Sequence, residues 1–192
     1  MANKEIEIQV EIEKINPLIA FLEKEGEFLY EDHQLDEYYT PAHRNFADLD
    51  PINEWLRLRD SNGKFSITYK NWHRDENKKA YHCDEFESGL ESFEQVEKIL
   101  NILDFKTVVG VEKNRSAYKY LDYEIAIDKV KNLGTFVEVE FKGENNKDHN
   151  EIVQDMIKFL KSLELGKLKR NSVGYAYKLL YPDRTEYLED EL

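Results

Sequence analysis

Ile6, Ile8, Val10 and Ile12 fall on one parity of the chain, and Glu5, Glu7, Gln9, Glu11 and Glu13 fall on the other. Successive strand side chains point to opposite sides of a sheet, so this spacing predicts a strand with one apolar and one acidic face. An acidic row repels itself unless water, cations or basic side chains lie opposite it. The row reads either as a solvated outer face or as a place where Glu5 and Glu7 hold a divalent metal. Later strands decide between the two, according to whether they carry complementary charges at the same spacing.

Asn16-Pro17 reads as an N-cap followed by a first-turn proline, opening a short helix through Leu18, Phe21 and Leu22 that stops near Gly26. Residues 28–39 read as a strand and residues 40–53, with Pro41 and Pro51, as a long loop or flap. Trp55–Arg59 sets Arg57 and Arg59 on one face of a strand, and Ser61-Asn62-Gly63 turns it into a hairpin with Phe65–Lys70. Residues 71–80 show no periodicity and are expected to form a mobile loop. His82–Glu87 reads as a strand that presents Glu85 and Glu87 together around an inward-facing Phe86.

Ser92 to Gln95 resembles a capping box, and Phe93, Val96, Ile99, Leu100 and Leu103 follow at helical spacing. Val108–Tyr118 is a predicted strand with Lys113 and Arg115 on one parity, and Tyr123–Asp128 another with Glu124, Ala126 and Asp128 together. A short helical turn and Gly134 lead to Phe136–Phe141, where Glu138 and Glu140 oppose Val137 and Val139. Residues 147–163 predict an amphipathic helix, and Val173–Leu180 a closing strand that places Tyr175 and Tyr177 at strand parity. Several strands joined by tight turns, with a few helices between them, make an antiparallel α+β protein.

The polar faces are sorted by sign: acidic at 5/7, 85/87 and 138/140, basic at 57/59 and 113/115. Such sorting suits a barrel whose charged lumen holds metal on its carboxylates and phosphate on its Arg and Lys groups. Ordinary cross-strand ion pairing on an exposed sheet would give the same periodicity.

The 192 residues suffice for one sizeable core, and the expectation is a single domain over 1–182 with an acidic C-terminal tail over 183–192. A net charge of -13 argues against nucleic-acid binding, because phosphate backbones are gripped by basic surfaces. No apolar run suggests a membrane span or a signal peptide, and the single cysteine, Cys83, excludes an intrachain disulfide; a cytoplasmic protein is expected. Cys83 has no second cysteine for a thiolate zinc site, and His33, His43, His73 and His149 show no ligand spacing. Neither a Walker-type nor a Rossmann glycine motif occurs.

Glu5-x-Glu7-x-Gln9 resembles the Glu-x-Glu-x-Lys opening of the CYTH superfamily, the triphosphate tunnel metalloenzymes. Gln34-x-Asp36-x-Tyr38-Tyr39, Trp55–Arg59, Ile67–Lys70, Glu85-Phe86-Glu87, Val111–Arg115, Ile127-Asp128 and Leu133–Glu140 follow in that family's order. The resemblance implies an antiparallel, eight-stranded β-barrel or tunnel with flanking helices, often homodimeric, that binds a triphosphate with Mg²⁺ or Mn²⁺. By the same resemblance Glu5, Glu7, Glu138 and Glu140 would hold metal, with Glu85, Glu87 and Asp128 assisting. Arg57, Arg59, Lys70, Lys113 and Arg115 would bind phosphate oxygens, and Glu5, Glu7, Lys70 and Asp128 would form the catalytic set.

The stretch from Pro41 to Asp48 looks most like the class IV adenylyl cyclase branch, which forms cyclic AMP and pyrophosphate from ATP. An inorganic or thiamine triphosphatase uses the same parts, and a nucleotide- or polyphosphate-binding module with little turnover is a third reading. Two positions depart from the family pattern. Gln9 stands where lysine is usual, and Cys83 stands about where relatives place an arginine.

Overall fold

The computed structural model describes residues 6–74, 76, 80–143, 148–184 and 188–191. Along the chain run β1 (Glu7–Ile12), α1 (Asn16–Glu25), β2 (Glu27–Thr40), a 3-10 turn (Phe46–Asp48), β3 (Glu54–Ser61), β4 (Lys64–Arg74), β5 (Ala80–Leu90) and α2 (Phe93–Ile102). They are followed by β6 (Lys106–Tyr120), β7 (Tyr123–Val130), β8 (Gly134–Phe141), α3 (His149–Ser162), β9 (Leu168–Asn171), α4 (Gly174–Leu180) and β10 (Leu188–Glu191). The fold is therefore α+β with antiparallel strand pairs, and the described residues form ten strands where eight were expected. Two compact units share the chain: one draws on His33–Glu112 and Tyr175–Tyr181, the other on Glu5–Asp32, Lys113–Gly174 and Pro182–Leu192. No helix among the described residues is long and apolar enough to cross a membrane.

In the second of these units the strands order as β10-β9-β1-β8-β7-β6. The alternation in β1 is realised: Ile8 and Val10 lie opposite Val139 and Val137, which in turn face Ile125 and Ile127 of β7. These side chains are buried against Leu18 and Leu22 of α1 and Ile152, Met156 and Leu160 of α3. The other parity, Glu7, Gln9, Glu138, Glu140 and Asp128, is thereby turned to the opposite face of the sheet. Asn16 is the first helical residue rather than the cap, and Ile15 at the N-cap makes no side-chain cap bond; Pro17 lacks an N–H that would need one. Gly26 closes α1 because a Cβ there would stand 2.7 Å from the Leu22 carbonyl oxygen. Between β7 and β8 the expected helical turn is a tight turn, with Asn132 at φ 66° and Gly134 at φ 125°.

Two expectations at the C-terminal end are corrected. Gly174–Leu180 is a helix, not a strand, and the strand of this region is β9, a few residues earlier. The Asn171 Oδ1 accepts the backbone N–H groups of Val173 and Gly174, at 3.4 and 3.2 Å, which ends β9 and bends the chain into the next element. Tyr175, Ala176 and Tyr177 are then buried consecutively, a pattern that strand alternation does not give. The segment expected as an acidic tail contributes β10, whose Leu188 lies opposite Asn171.

In the other unit β2-β3-β4-β5 are neighbours in order. The hairpin turn sits at Asn62 and Gly63, both at positive φ (50° and 82°), which suits a two-residue turn between twisted strands. Ser92 caps α2 by accepting the Gln95 N–H, and Tyr39, Leu58 and Leu100 form the core with Ile67, Leu90, Phe93 and Val96 around them. Residues 71–74, expected in a loop, continue β4, because Trp72 and Asn71 still find register partners in Cys83 and Asp84. Residues 75 and 77–79 of that expected loop lie outside the described residues. Phe86 is corrected as well: alternation fixes its face, opposite Glu85 and Glu87, but it is 62% exposed. The expected loop over 40–53 contains the 3-10 turn, whose Phe46 N–H donates to Thr40 Oγ1 at 2.8 Å.

Leu160 is fully buried in the α3 interface. Leu160→Ala should lower the unfolding free energy by about 2–5 kcal/mol, read from the denaturant midpoint at unchanged m-value.

Candidate functional site

On the polar face of β6-β7-β8-β1, register decides which charges meet. Arg115 lies opposite Asp128 across β6 and β7, and its Nε and Nη2 donate to Oδ1 and Oδ2, each at 2.7 Å. Lys113 Nζ reaches the same Oδ2 at 2.9 Å. The side chain of Asp128 has no exposed surface and that of Lys113 is 4% exposed. Arg115 Nη2 also donates to Glu138 Oε1 at 2.9 Å, and Gln9 Nε2 donates to Glu138 Oε2 at 3.1 Å. Burial works against the charge on both carboxyls, yet the Arg115 and Lys113 cations hold Asp128 and Glu138 below the usual carboxylate range, Asp128 far below it.

One step along the same face, Glu140 lies opposite both Glu7 and Glu124. Lys142 Nζ approaches Glu140 Oε2 at 2.6 Å. Glu124 accepts the Tyr30 hydroxyl at 3.1 Å, and burial followed by this carboxylate pushes the tyrosine up to about 12. Hard carboxylate oxygens of this kind suit Mg²⁺ or Mn²⁺. Among the described residues no three His, Cys, Asp or Glu side chains are grouped closely enough to enclose an ion, and Glu5, expected to help hold one, lies outside the described residues. Glu7 and Glu140 thus supply the right donor type as a cross-strand pair.

The other unit repeats the device on β2-β3-β4-β5. Asp36 takes Arg59 Nε and Nη2 at 2.6 and 2.7 Å, with its own side chain 2% exposed. Arg57 Nη2 donates to Thr68 Oγ1 at 2.9 Å and approaches Glu87 Oε2 at 3.4 Å, while Thr68 donates to the same Glu87 oxygen at 2.8 Å. The buried Arg57 Nε has no hydrogen-bond partner among the described residues. Lys70 and Glu85 pair at 2.6 Å. Tyr38, opposite Arg57 in register, has its hydroxyl pushed up by burial and by Asp36, against the pull of the arginines.

Each unit therefore brings its expected residues together: Arg57, Arg59, Lys70, Glu85 and Glu87 in one; Glu7, Lys113, Arg115, Asp128, Glu138 and Glu140 in the other. In these contacts Glu85, Glu87 and Asp128 serve as anions for the neighbouring cations or hydroxyl. Two participants carried no role in the sequence reading. Asp36 stands inside a quoted motif, but its pairing depends on strand register. Asn171, whose Nδ2 donates to Gln9 Oε1, lay just before a segment misread as a strand. Cys83 is half-buried with its Sγ 3.7 Å from the Asp84 carbonyl oxygen, and His73 Nε2 lies 2.7 Å from Asp84.

Antiparallel strands that present buried cation–carboxylate pairs on their polar faces define the class of protein. Residues 3–175 match the model of the CYTH domain, and the chain belongs to that family. It is 34% identical over 164 residues to the Methanocaldococcus jannaschii protein named "Putative adenylate cyclase", spanning 85% of this chain and 91% of that protein. A solved protein of Pyrococcus horikoshii superposes with a TM-score of 0.73 at 26% identity, over 94% of this chain and 99% of the other. The fold is shared with a Hippeastrum protein reported as a "Putative adenylyl cyclase" with a dominant triphosphatase activity, at TM-score 0.64 and 17% identity over 96% of this chain and 99% of that one.

Asp128→Asn should cost about 3–5 kcal/mol, because Lys113 and Arg115 lose the anion that balances their burial. The folded carboxyl ionises well below its ordinary value of 3.8, so its stabilisation is complete above about pH 4 and is lost as pH falls through the depressed value. Denaturant titrations from pH 7 to pH 2 should show this acid-side decline in the parent protein and a weaker one in D128N.

Proposed function

We propose that the protein is a metal-dependent enzyme acting on triphosphates, as an adenylyl cyclase of the class IV type that converts ATP to cyclic AMP and pyrophosphate. The observation that carries the reading is four cationic side chains largely withdrawn from solvent on polar strand faces, Lys113 buried and Arg57, Arg59 and Arg115 partly so, each beside a carboxylate. Buried charges of this number are costly to stability and are retained where chemistry uses them. Family membership and the name of the M. jannaschii relative support the same reading.

In this reading Arg57, Arg59, Lys70, Lys113 and Arg115 donate to phosphate oxygens, with guanidinium forks matched to two oxygens at once. Glu7, Glu138 and Glu140 would hold Mg²⁺ or Mn²⁺, together with Glu5 and assisted by Glu85 and Glu87; the ion would neutralise charge on the triphosphate. The ribose 3′-hydroxyl would lose its proton to solvent as its oxygen bonds to the α-phosphorus and the bond to pyrophosphate breaks, and the cationic side chains stabilise charge on the leaving group. Asp128 and Asp36 hold those cations in fixed positions before substrate arrives, so little reorganisation accompanies the reaction.

Incubation with ATP, inorganic triphosphate or thiamine triphosphate, with Mg²⁺ or Mn²⁺, tests the assignment. Cyclic AMP with pyrophosphate from ATP is the expected result. Orthophosphate release instead would mark a triphosphatase, and no product from any of the three would leave a binding module. Arg57→Ala should lower kcat/KM by about 100-fold or more while the melting temperature stays near that of the parent.

A further inference from the structure

Gln9 is a neutral side chain among the charged groups on its face of β1, and the structure shows what it does there. Glu138 has both oxygens engaged: Oε1 by Arg115 and Oε2 by Gln9 Nε2. The direction in which the Gln9 amide points is not left to Gln9. Asn171 Oδ1 accepts the backbone N–H groups of Val173 and Gly174. Backbone nitrogens only donate, so the oxygen of Asn171 must face them and its Nδ2 must face Gln9. Nδ2 donates to Gln9 Oε1. With its oxygen so occupied, Gln9 has only its Nε2 to offer Glu138. Two backbone N–H groups at the end of β9 thus set the polarity of a relay that ends on a carboxylate of the candidate site.

We infer that Asn171 is a positioning residue for Glu138, acting through the Gln9 amide. The role rests on the reading of Glu138 as part of a triphosphate-processing site. The relay orients one carboxylate oxygen without adding a charge, where a lysine would add one. Side chains that orient metal- or substrate-binding groups in this way change activity on the order of tenfold to a hundredfold when altered.

Asn171→Asp is the discriminating substitution. The introduced carboxylate still accepts the Val173 and Gly174 N–H groups, so the bend after β9 is kept, but it has no donor for Gln9 Oε1. Gln9 must then turn its amide toward that new carboxylate and its oxygen toward Glu138, which repels it. The expected result is a kcat on the substrate panel lowered about tenfold to a hundredfold, with KM changed less and the melting temperature preserved. Gln9→Lys in the N171D background should recover most of that loss, since an ammonium donates to both carboxylates. Gln9→Glu, which leaves Asn171 and its backbone bonds untouched, should show the same kcat defect. Side-chain amide NMR gives a reading that needs no turnover: in N171D the Gln9 NH₂ resonances should move as the amide turns from Glu138 to the new carboxylate, and unmoved resonances would overturn the relay. An active parent protein matched in kcat by N171D overturns the role of Asn171 and leaves the proposed function standing. Equal losses in N171D and N171A with no rescue by Gln9→Lys overturn it too, as a purely structural effect. A parent protein inert on the whole panel removes the enzymatic reading, and this role with it.

Discussion

The Asp128 carboxylate, with no exposed surface and three hydrogen bonds from Lys113 and Arg115, is the constraint around which the polar face of its unit is arranged. Taking these ions out of water costs several kcal/mol each, and the mutual attraction offsets that only when geometry is good and the remaining donors are used. Both conditions hold. The β6–β7 register puts Arg115 directly opposite Asp128, the fork is bidentate, and the surplus Nη2 valence reaches Glu138. The strand register, set by the apolar parity against α1 and α3, therefore fixes the charged parity as well. A slip of one residue would exchange the two faces and bury the acids in the core.

The unit containing β2 to β5 uses the same device with a looser end. Asp36 clamps Arg59 much as Asp128 clamps Arg115. Arg57 is held less firmly: its contact with Asp36 is 3.8 Å, and its other carboxylate, Glu87, has a side chain 52% exposed. A partner so open to solvent is screened and contributes little. Arg57, with a buried Nε unused, is the guanidinium best placed to exchange its contacts for those of an incoming anion.

Much of this was legible in the sequence because alternation is a local signal. The faces of β1, β3, β6 and β8 follow from parity alone, and so did the grouping of Arg57 with Arg59 and of Glu138 with Glu140. The C-terminal region was not legible for the opposite reason. Val173-Gly-Tyr-Ala-Tyr is a short apolar run that suits strand or helix, and a side-chain bond from Asn171 to two backbone N–H groups decides which forms. Phe86 was misplaced because parity says which face a residue occupies and nothing about what covers it. Asp36 and Asn171 escaped notice as site residues because their partners, Arg59 and Gln9, are 23 and 162 positions away, and only the strand register brings them together.

The neutral residue at position 9 also bears on why this chain would need a cation. Lys113 and Arg115 bring two positive charges to the polar face of their unit, and Asp128 and Glu138 cancel them with two negative ones. Lys142 and Glu140 cancel each other, and Glu7, opposite Glu140, adds a further acid. A lysine at position 9 would bring this sum of charges to neutral; Gln9 leaves it acidic, on a chain whose net charge is -13. A triphosphate approaching such a face meets oriented donors but no attractive net field. Under the proposed function the donors would fix geometry, and the missing positive charge would arrive with the substrate. That is the electrostatic basis for expecting the proposed reaction to require a divalent ion in this chain more strictly than it would with lysine at position 9.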